Sequence, residues 1–368
     1  KNIMKIVLAL LTSVSLVGSA TAGELTVTGS AKATYNMLSG GDLGASQGQG
    51  KGLGITNEID FGATGELDNG WSWNYQVQFD PNATASTNQI DDTRLELTTD
   101  YGVLGVYISE GGLDVDNAAS QSVYGRPTDI GLASGIVDGP GIDGFNNVQL
   151  HTPADLLPYS TVIKAAYAPG AQVGMNSANA AGSALAIGNY LGNVEQYQIK
   201  STPIDGLNIG ADYLKHSDQG NAVTKSVQDE EAGSVFATYA YGAATFGVST
   251  TRVAPLILST SATETVISNA SAAGRNTNAA RQYTNKKMSA AYNVNDNLSI
   301  SYEVEKSNRE LIVQGAEYDI DAQAVQAAYT MGGMTLSISH DKAENSDYIQ
   351  NQNEKETLFA VGMADRKS

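Results

Sequence analysis

Residues 55–79 read ITNEIDFGATGELDNGWSWNYQVQF, and apolar and polar side chains alternate on both sides of a central turn. Asp68-Asn69-Gly70 forms that turn, because Asn and Gly tolerate the positive φ of a tight reversal. From Trp71 to Phe79 every second residue is aromatic or aliphatic. The pattern predicts a β-hairpin with one apolar and one polar face. Each strand has about ten residues or more, which is long for a globular strand and typical of a tilted membrane-spanning one.

The composition narrows the class of protein. Charged residues make up 16% of the 368 residues, below the roughly 25% of soluble proteins. No apolar run reaches the about 18 residues of a spanning helix, so a membrane crossing would have to use alternating strands. The absence of cysteine excludes disulfides and thiolate chemistry. The net charge of −18 argues against nucleic acid as a partner, since phosphate binding needs a basic face.

The first 22 residues have the pattern of a secretory signal peptide. Lys5 supplies the positive charge, residues 6–17 are mostly apolar, and Ala20-Thr21-Ala22 matches an A-x-A cleavage site. We expect translation from Met4, cleavage after Ala22, and a mature barrel domain over residues 23–368. Removal of Lys1 and Lys5 then changes the net charge from −18 to −20.

The strand–turn–strand unit recurs along the chain. Short turns join the paired strands at residues 100–102, 203–206, 242, 295–297 and 332–333. Polar connections separate the pairs at residues 170–193, 217–232, 253–281, 307–318 and 340–355. The tally is about sixteen strands, an even number that places both chain ends beside the short turns. The apolar parity changes near Ala324, which we interpret as a β-bulge.

The longest interruption of the pattern is residues 111–146. Loops of this length without their own repeat structure are usually functional or disordered. This one contains apolar residues that a free surface loop would not need: Val123, Tyr124, Ile130, Leu132, Ile136 and Val137. We therefore expect it to pack against another part of the protein.

An all-β sandwich also alternates, so it is the competing fold. Sandwich strands average about five or six residues, whereas many here are longer. Aromatic residues stand beside the turns, which is typical of the interfacial girdles of membrane barrels; they are Trp71, Trp73, Tyr239, Tyr241 and Tyr292. With the leader and the contrast between short turns and long loops, this favours an all-β, transmembrane antiparallel β-barrel.

The chain resembles the general diffusion porins of Gram-negative outer membranes over nearly its whole mature length. The resemblance rests on the leader, the opening ELTVTG at residues 24–29, the position of the long connection, and the phrases AAYAPG at 165–170 and GADY at 210–213. It implies a sixteen-stranded barrel in the cell outer membrane, usually a homotrimer, whose third long loop folds into the lumen as a constriction. It also implies contact with outer-membrane lipid and lipopolysaccharide and assembly by the barrel-insertion machinery. The chain lacks the family's terminal aromatic residue, so we expect a truncated or altered C-terminal tail.

The resemblance also implies which residues line the pore. The long connection matches the constriction loop by position and carries Asp114, Asp116, Arg126, Asp129, Asp138 and Asp143. The inward parity of the predicted strands adds a pore wall of Lys32, Glu58, Asp60, Arg94, Glu96, Lys164, Lys200, Asp212, Lys287 and Glu303. The wall charges roughly cancel, so the loop aspartates predict a cation-preferring pore. Porins commonly set a basic cluster against the acidic loop, and Lys32 and Arg94 are the candidates for it. Alternatively, the aspartates lie in the outer mouth and only solvate it.

No pattern in the sequence indicates catalysis, a cofactor or a metal. His151, His216 and His340 are far apart, without metal-ligand spacing or a nucleophile motif. Asp114-Val115-Asp116-Asn117 resembles the start of a calcium loop, but the Gly and terminal Glu of that motif are missing. We expect a non-enzymatic, water-filled channel for small hydrophilic solutes and ions. The alternatives are a substrate-specific outer-membrane channel and a secreted all-β binding or adhesion protein.

Overall fold

The structure is a computed structural model that describes residues 23, 25–40, 50–79, 90–128, 134–169, 192–217, 225–259, 266–269, 280–312 and 316–364. The predicted leader and the last four residues lie outside this part of the chain. The strands in it are, in chain order, β1 (Leu25–Gly40), β2 (Gly50–Glu66), β3 (Ser72–Phe79), β4 (Ile90–Thr99), β5 (Gly102–Ile108), β6 (Asn147–His151), β7 (Val162–Ala168), β8 (Asn193–Ile204), β9 (Leu207–Ser217), β10 (Lys225–Gln228), β11 (Glu231–Tyr241), β12 (Ala244–Ala254), β13 (Ile257–Ser259), β14 (Val266–Asn269), β15 (Ala280–Asn293), β16 (Leu298–Leu311), β17 (Ile320–Met331), β18 (Met334–Glu344) and β19 (Glu354–Ala364). Three single-turn 3₁₀ helices cover Ile142–Gly144, Pro158–Ser160 and Ser346–Tyr348. Among the described residues, no helix has the length and apolar character needed to cross a membrane.

Sixteen of these strands form one closed antiparallel barrel. Its order is β1 to β9, then β11, β12 and β15 to β19. β1 pairs with both β2 and β19, with Ser30 opposite Ala364 and Gly40 opposite Glu354, so the first and last strands close the ring. The barrel confirms the predicted fold class and excludes a two-sheet sandwich.

The hairpin that organises the sequence is present as predicted. β2 and β3 pair from Ile59 opposite Phe79 to Glu66 opposite Ser72. The turn between them places Gly70 at a φ of +81°, which a side chain would strain, and Leu67 N–H donates to the Trp71 carbonyl at 2.7 Å. The turn chemistry of the sequence therefore fixed the register of both strands.

Side chains alternate between the two faces of the barrel wall. In β16 the outward Ile300 and Tyr302 are exposed, whereas the inward Ser301 and Glu303 are buried inside the barrel. Outward aromatic residues gather at the short-turn end, where Tyr239 and Tyr241 stack at 6.5 Å beside the turn at Gly242. The barrel thus has an apolar outer face and a polar interior, the reverse of a soluble protein.

The β-bulge expected near Ala324 is wrong. β17 pairs with β16 and β18 without any shift of register along its length. The apolar parity changes because Ile320, Ala322 and Ala324 point inward and are buried, while Val325 points outward. Inside the barrel, Ile136 covers Ala322 and also packs near Ile320. β17 is therefore a regular strand: its inward apolar residues pack near Ile136, and its outward apolar residues lie on the outer face of the barrel.

Part of the predicted polar connections has its own sheet. β10, β13 and β14 form a three-stranded antiparallel sheet within residues expected to be loops. Several barrel strands also extend into the predicted connections; β16, for example, runs to Leu311, inside the predicted connection 307–318. Residues above the apolar band alternate less clearly in hydropathy, so the sequence pattern fades before the strands end.

Candidate functional site

The long connection, residues 111–146, runs inside the barrel and is called the inner loop below; its residues 111–128 and 134–146 are described. Its backbone groups bond to inward side chains of successive strands, because peptide groups removed from water need partners. Gln198 of β8 donates to the Leu113 carbonyl at 2.7 Å, and Val115 N–H donates to Asp212 of β9 at 3.0 Å. The series continues with Ser249 of β12 to the Asp116 carbonyl (3.1 Å), Gln121 N–H to Ser289 of β15 (2.9 Å), Val123 N–H to Ser301 of β16 (3.0 Å) and Tyr124 N–H to Gln326 of β17 (3.1 Å). The loop therefore follows the inner wall from β8 to β17.

Apolar contacts hold both halves of the inner loop to the wall. Leu113 and Ile142 are fully buried with residues of β7, β8 and β9. Val115 packs on Phe236 of β11, and Ile136 and Val137 pack in a cluster with residues of β11, β12, β15 and β17. This confirms that the loop packs against another part of the protein. Ile130 and Leu132 lie outside the described residues. Leu113, Val115 and Ile142 also make these contacts, and the apolar pattern of the loop did not predict them.

A buried charge cluster lies between the inner loop and the wall; it comprises Asp116, Arg126, Asp138, Lys287 and Glu305. Lys287 lies 3.6 Å from Asp116, 3.8 Å from Asp138 and 3.9 Å from Glu305. Arg126 lies 2.7 Å from Asp138 and 3.8 Å from Glu305. Asn117 Oδ1 accepts hydrogen bonds from both Arg126 and Lys287. Three carboxylates thus face two bases, and the formal charge of the cluster is negative.

Burial sets the proton affinity of the loop carboxylate in this cluster. Asp116 is 4% exposed, and this burial raises its pKa to about 7, although the Lys287 ammonium opposes the rise. The neighbouring Asp114 and Asp138 act in the same direction as burial. Asp116 therefore gains or loses a proton close to neutral pH.

Two of the predicted wall acids attach the loop. Asp212 accepts from Val115 N–H and also from Gln196 at 3.2 Å. Glu303 accepts from the hydroxyls of Ser120 at 2.5 Å and Ser122 at 2.6 Å. Their bonds to the loop make them structural as well as electrostatic groups.

A second charged group lies on the wall formed by β2 to β6, away from the buried charge cluster. Arg94 pairs with Glu110 at 2.6 Å and approaches Glu96 at 3.9 Å. Glu96 also accepts from the Tyr107 hydroxyl at 2.6 Å. Burial raises the pKa of Glu110, against the attraction of the Arg94 guanidinium. The sequence pattern predicted Arg94 and Glu96 on this wall but not Glu110, which lies two residues after the end of β5.

The remaining predicted residues spread around the lumen. Lys32 of β1 lies 4.9 Å from the centre of the Tyr124 ring, so the inner loop reaches the first strand there. Asp60 accepts from Gln76 at 3.2 Å, and Glu58 beside it is exposed. Asp114 and Asp143 both stand beside Gly141 and Gly112. Lys164 and Lys200 lie near enough to repel each other electrostatically. Asp129 lies outside the described residues.

The interior holds more carboxylates than the sequence analysis counted. Glu305, Asp341, Glu354 and Glu356 are inward and buried, with Arg309 as an additional base. Glu305 shares the parity of Glu303 and could have been found from it. Asp341 and Glu354 lie beyond the predicted ends of their strands, so no parity was assigned to them.

The connection between β18 and β19 also turns inward. Tyr348 is 4% exposed, and its hydroxyl lies 2.6 Å from that of Ser307. Asp347 N–H donates to the Ser134 carbonyl of the inner loop at 2.9 Å. Asn345, Asp347, Tyr348 and Asn351 have positive φ, which shows how tightly this connection is folded. A second loop therefore fixes the far end of the inner loop.

Comparisons with known proteins agree with this geometry. No protein-family model and no curated protein matches the chain. Among solved structures it is similar to Salmonella typhi OmpF in complex with daunomycin (TM-score 0.61, 14% identity, 93% of this chain and 98% of that chain). It is also similar to the in-vitro folded trimer form of OmpT, an outer membrane protein of Vibrio cholerae (0.60, 13%, 94% and 100%), and to the anion-selective porin from Comamonas acidovorans (0.64, 10%, 93% and 100%). The chain has the porin barrel fold. At these identities the likeness concerns the fold, and the chemistry of the lumen comes from the residues of this chain.

Proposed function

We propose that the protein is an outer-membrane porin, a water-filled channel through which small hydrophilic solutes and ions diffuse passively. The observation that supports this most is a closed barrel with an apolar exterior, a polar interior, and a loop bonded along half of its inner wall. We place the passage between this loop and the wall of β2 to β5, which carries Asp60, Arg94 and Glu96. A passage lined by charged side chains suits hydrated solutes and excludes apolar ones.

Cation preference is the second part of the proposal. The similarity to known structures does not tell whether the channel prefers cations or anions, since one of those structures is described as an anion-selective porin. With its three carboxylates ionised, the buried charge cluster is negative by one charge, and the wall adds Asp341, Glu354 and Glu356 against Arg309. The negative charge of the interior therefore comes from the wall as well as from the loop. The sequence had predicted that it comes from the loop alone. Low-dielectric walls focus this field on the narrow passage.

The residues facing the passage set the expected selectivity. Asp116 is buried against the wall, so Asp114, Glu58 and Asp60 are better placed to meet a passing ion. Lys32 and Arg94 remain the proposed bases of a transverse field. Arg94 is held by Glu110, and its guanidinium is therefore fixed in direction.

Conductance and reversal potentials in planar bilayers test both the channel and its preference for cations. We expect discrete conductance steps and a cation-selective reversal potential in a salt gradient. Glu58→Gln with Asp60→Asn should reduce the selectivity, more at low salt, where the Debye length is about 30 Å at 0.01 M. Asp296→Asn, in a short turn away from the lumen, is the matched control and should change nothing. An anion-selective wild type would contradict the proposed cation preference, and absence of conductance would contradict the proposed channel.

The assembly and location follow the same proposal. We propose a homotrimer in the cell outer membrane, surrounded by lipid and lipopolysaccharide and inserted by the barrel-insertion machinery. One similar structure is described as a trimer form. Gel mobility before and after boiling tests the folded barrel, and mass measurement in mild detergent tests the trimer. A single protomer mass under all conditions would contradict the trimer.

We further propose that the chain is not an enzyme. In the described part of the chain, the three histidines bond to Gln149, Glu230 and Thr357. His340 points to the outer face, away from the lumen. A substrate-specific channel stays the alternative within the same class, and saturation of the ion current by one solute would favour it.

A further inference from the structure

The inner loop meets the wall of β12 at a glycine. Gly247 is buried on the inner face of the barrel, whereas its neighbours Phe246 and Val248 are exposed on the outer face. A Cβ added at Gly247 would lie only 1.8 Å from the Ala119 carbonyl oxygen and 2.8 Å from the carbonyl carbon. Glycine within a strand often marks a place where another backbone approaches closely. The loop therefore lies directly on the backbone of β12.

Hydrogen bonds hold this part of the inner loop as a compact unit. The Ser289 hydroxyl donates to the Ala119 carbonyl at 2.5 Å and accepts from Gln121 N–H at 2.9 Å. Two backbone hydrogen bonds, of 3.1 and 3.0 Å, fold residues 115–120 into consecutive turns. Because the carbonyl is fixed in this way, a side chain at Gly247 would displace the whole segment and not one peptide group.

The returning half of the inner loop has a similar contact with β11. A Cβ added at Gly139 would lie 2.8 Å from the Ala232 Cβ and 3.6 Å from a methyl group of Val253. Both wall residues are buried inside the barrel. Neither Gly139 nor Gly247 has a positive φ, so the backbone angles would accept a side chain and only the contacts exclude one. Both halves of the loop thus depend on glycine to lie close to the wall.

The topology of the barrel gives the direction in which a displaced loop would move. In the sixteen-strand ring, β12 stands eight strands from β3 and therefore on the opposite side. Ordinary van der Waals contact begins at 3.4 Å, so a Cβ at Gly247 would move the Ala119 carbonyl by about 1.6 Å, the difference between 3.4 and 1.8 Å. Packed atoms do not absorb such an overlap by compression. The loop would move away from β12 towards β3, across the passage.

We propose that Gly247 and Gly139 are positioning residues that set the size limit of the pore from behind the inner loop. They determine the width of the passage because they determine how closely the loop lies against the opposite wall. Neutral hydrophilic solutes close to the width of the passage are the class most affected, since charges in the lumen do not select among them. The inference rests on the proposed function, because it needs an open passage beside the loop.

Swelling of liposomes that contain the purified full chain tests the size limit, with a pentose and a disaccharide as neutral probes. Gly247→Ala should slow entry of the disaccharide relative to the pentose by about threefold or more, because pore diameter limits the larger solute first. Gly247→Val should slow it further. The matched control is Gly362→Ala, at an inward glycine of β19 where an added Cβ would have no atom within 4 Å, and it should change nothing.

The contact between Gly139 and Ala232 allows a rescue experiment. Gly139→Ala should slow the disaccharide less than Gly247→Ala does, since its added Cβ would meet its neighbour at 2.8 Å and not at 1.8 Å. Ala232→Gly in the same chain removes the methyl group that the new Cβ meets. The double variant should therefore regain the wild-type ratio of the two rates, whereas two unrelated losses of stability would add.

Four results would overturn the inference. They are an unchanged ratio in Gly247→Ala, faster entry of the disaccharide, equal slowing in Gly362→Ala, and failure of Ala232→Gly to restore the ratio. Gel mobility before and after boiling shows which variants are folded; if Gly247→Val is not, the alanine variants and the rescue decide. Conductance of the wild type in planar bilayers separates this inference from the proposed function. Normal conductance with an unchanged size limit contradicts only the role of the glycines, whereas a wild type without conductance contradicts the channel.

Discussion

At the scale of single residues, the buried charge cluster decides how the inner loop is held. Lys287 is 2% exposed and contacts three carboxylates, so its ammonium compensates charges that water cannot reach. Removing one partner of a buried ion pair leaves the others uncompensated, which costs more than the pair contributes. The cluster therefore couples the position of the loop to the charge of the wall.

Lys287→Met tests this coupling. We expect the free energy of unfolding to fall by about 3–5 kcal/mol, because Asp116, Asp138 and Glu305 lose their shared base. Channel current should also become noisier as the loop detaches. Lys200→Met is the matched control, since Lys200 is an exposed inward base. Equal stability of the two variants in urea titrations would show that the cluster does not hold the loop.

Asp116 should make stability depend on pH near neutrality. Its pKa is raised from 3.8 to about 7 in the folded chain, so the folded state retains a proton that the unfolded state has already lost. The stabilisation is complete below about pH 4 and is lost as the pH rises through 7. We expect the free energy of unfolding to fall by about 1 kcal/mol between pH 6 and pH 8.

Asp116→Asn should reduce that fall, because an amide resembles the protonated acid and does not ionise. Urea titrations at both pH values measure it, and Asp296→Asn should behave like the wild type. Full pH dependence in Asp116→Asn would assign the titration to another group.

At the scale of elements, the sequence predicted the barrel strands better than their ends or the inner loop. Parity found the outward and inward faces because lipid and water select opposite side chains. It failed at β17, where Ile320 and Ala322 are apolar and inward because Ile136 covers them. No local pattern shows that a loop about 180 residues earlier covers that wall. For the same reason, no local pattern predicted that Leu113 and Ile142 pack against the wall, since their partners are distant in sequence.

The two faces of adjacent strands should tolerate charge very differently. Phe61→Lys places a charge on the outer face and should cost about 2–4 kcal/mol at the middle of the bilayer. Ser30→Lys, on the inner face of β1 and opposite Glu58, should be accepted. Two other inward positions, Gly210 and Ser301, are less suitable as controls. A Cβ at Gly210 would lie 2.7 Å from the Ile199 carbonyl oxygen, and the Ser301 hydroxyl accepts a hydrogen bond from the inner loop. Refolding yields in lipid vesicles measure the contrast, and equal yields would contradict the lipid-facing assignment.

At the scale of the whole molecule, the arrangement of turns predicts the orientation in the membrane. Because neighbouring strands are antiparallel, successive connections alternate between the two sides, so the short turns share one side with the chain ends and the long connections share the other. A membrane-impermeant thiol reagent on intact cells should label Ala316→Cys in a long connection and leave Asn295→Cys in a short turn unlabelled. The chain has no native cysteine, so the background is low. Labelling of Asn295→Cys alone would reverse the orientation.

The pairing of β1 with β19 also constrains how the molecule forms. Ser30 and Ala364 meet only after the intervening strands have been laid side by side, so ring closure is the most non-local event in the chain. Until then, both β1 and β19 present open edges that can pair with other chains. A break in β19 would therefore expose two edges at once. The period before closure is thus the stage at which this protein is most prone to aggregate.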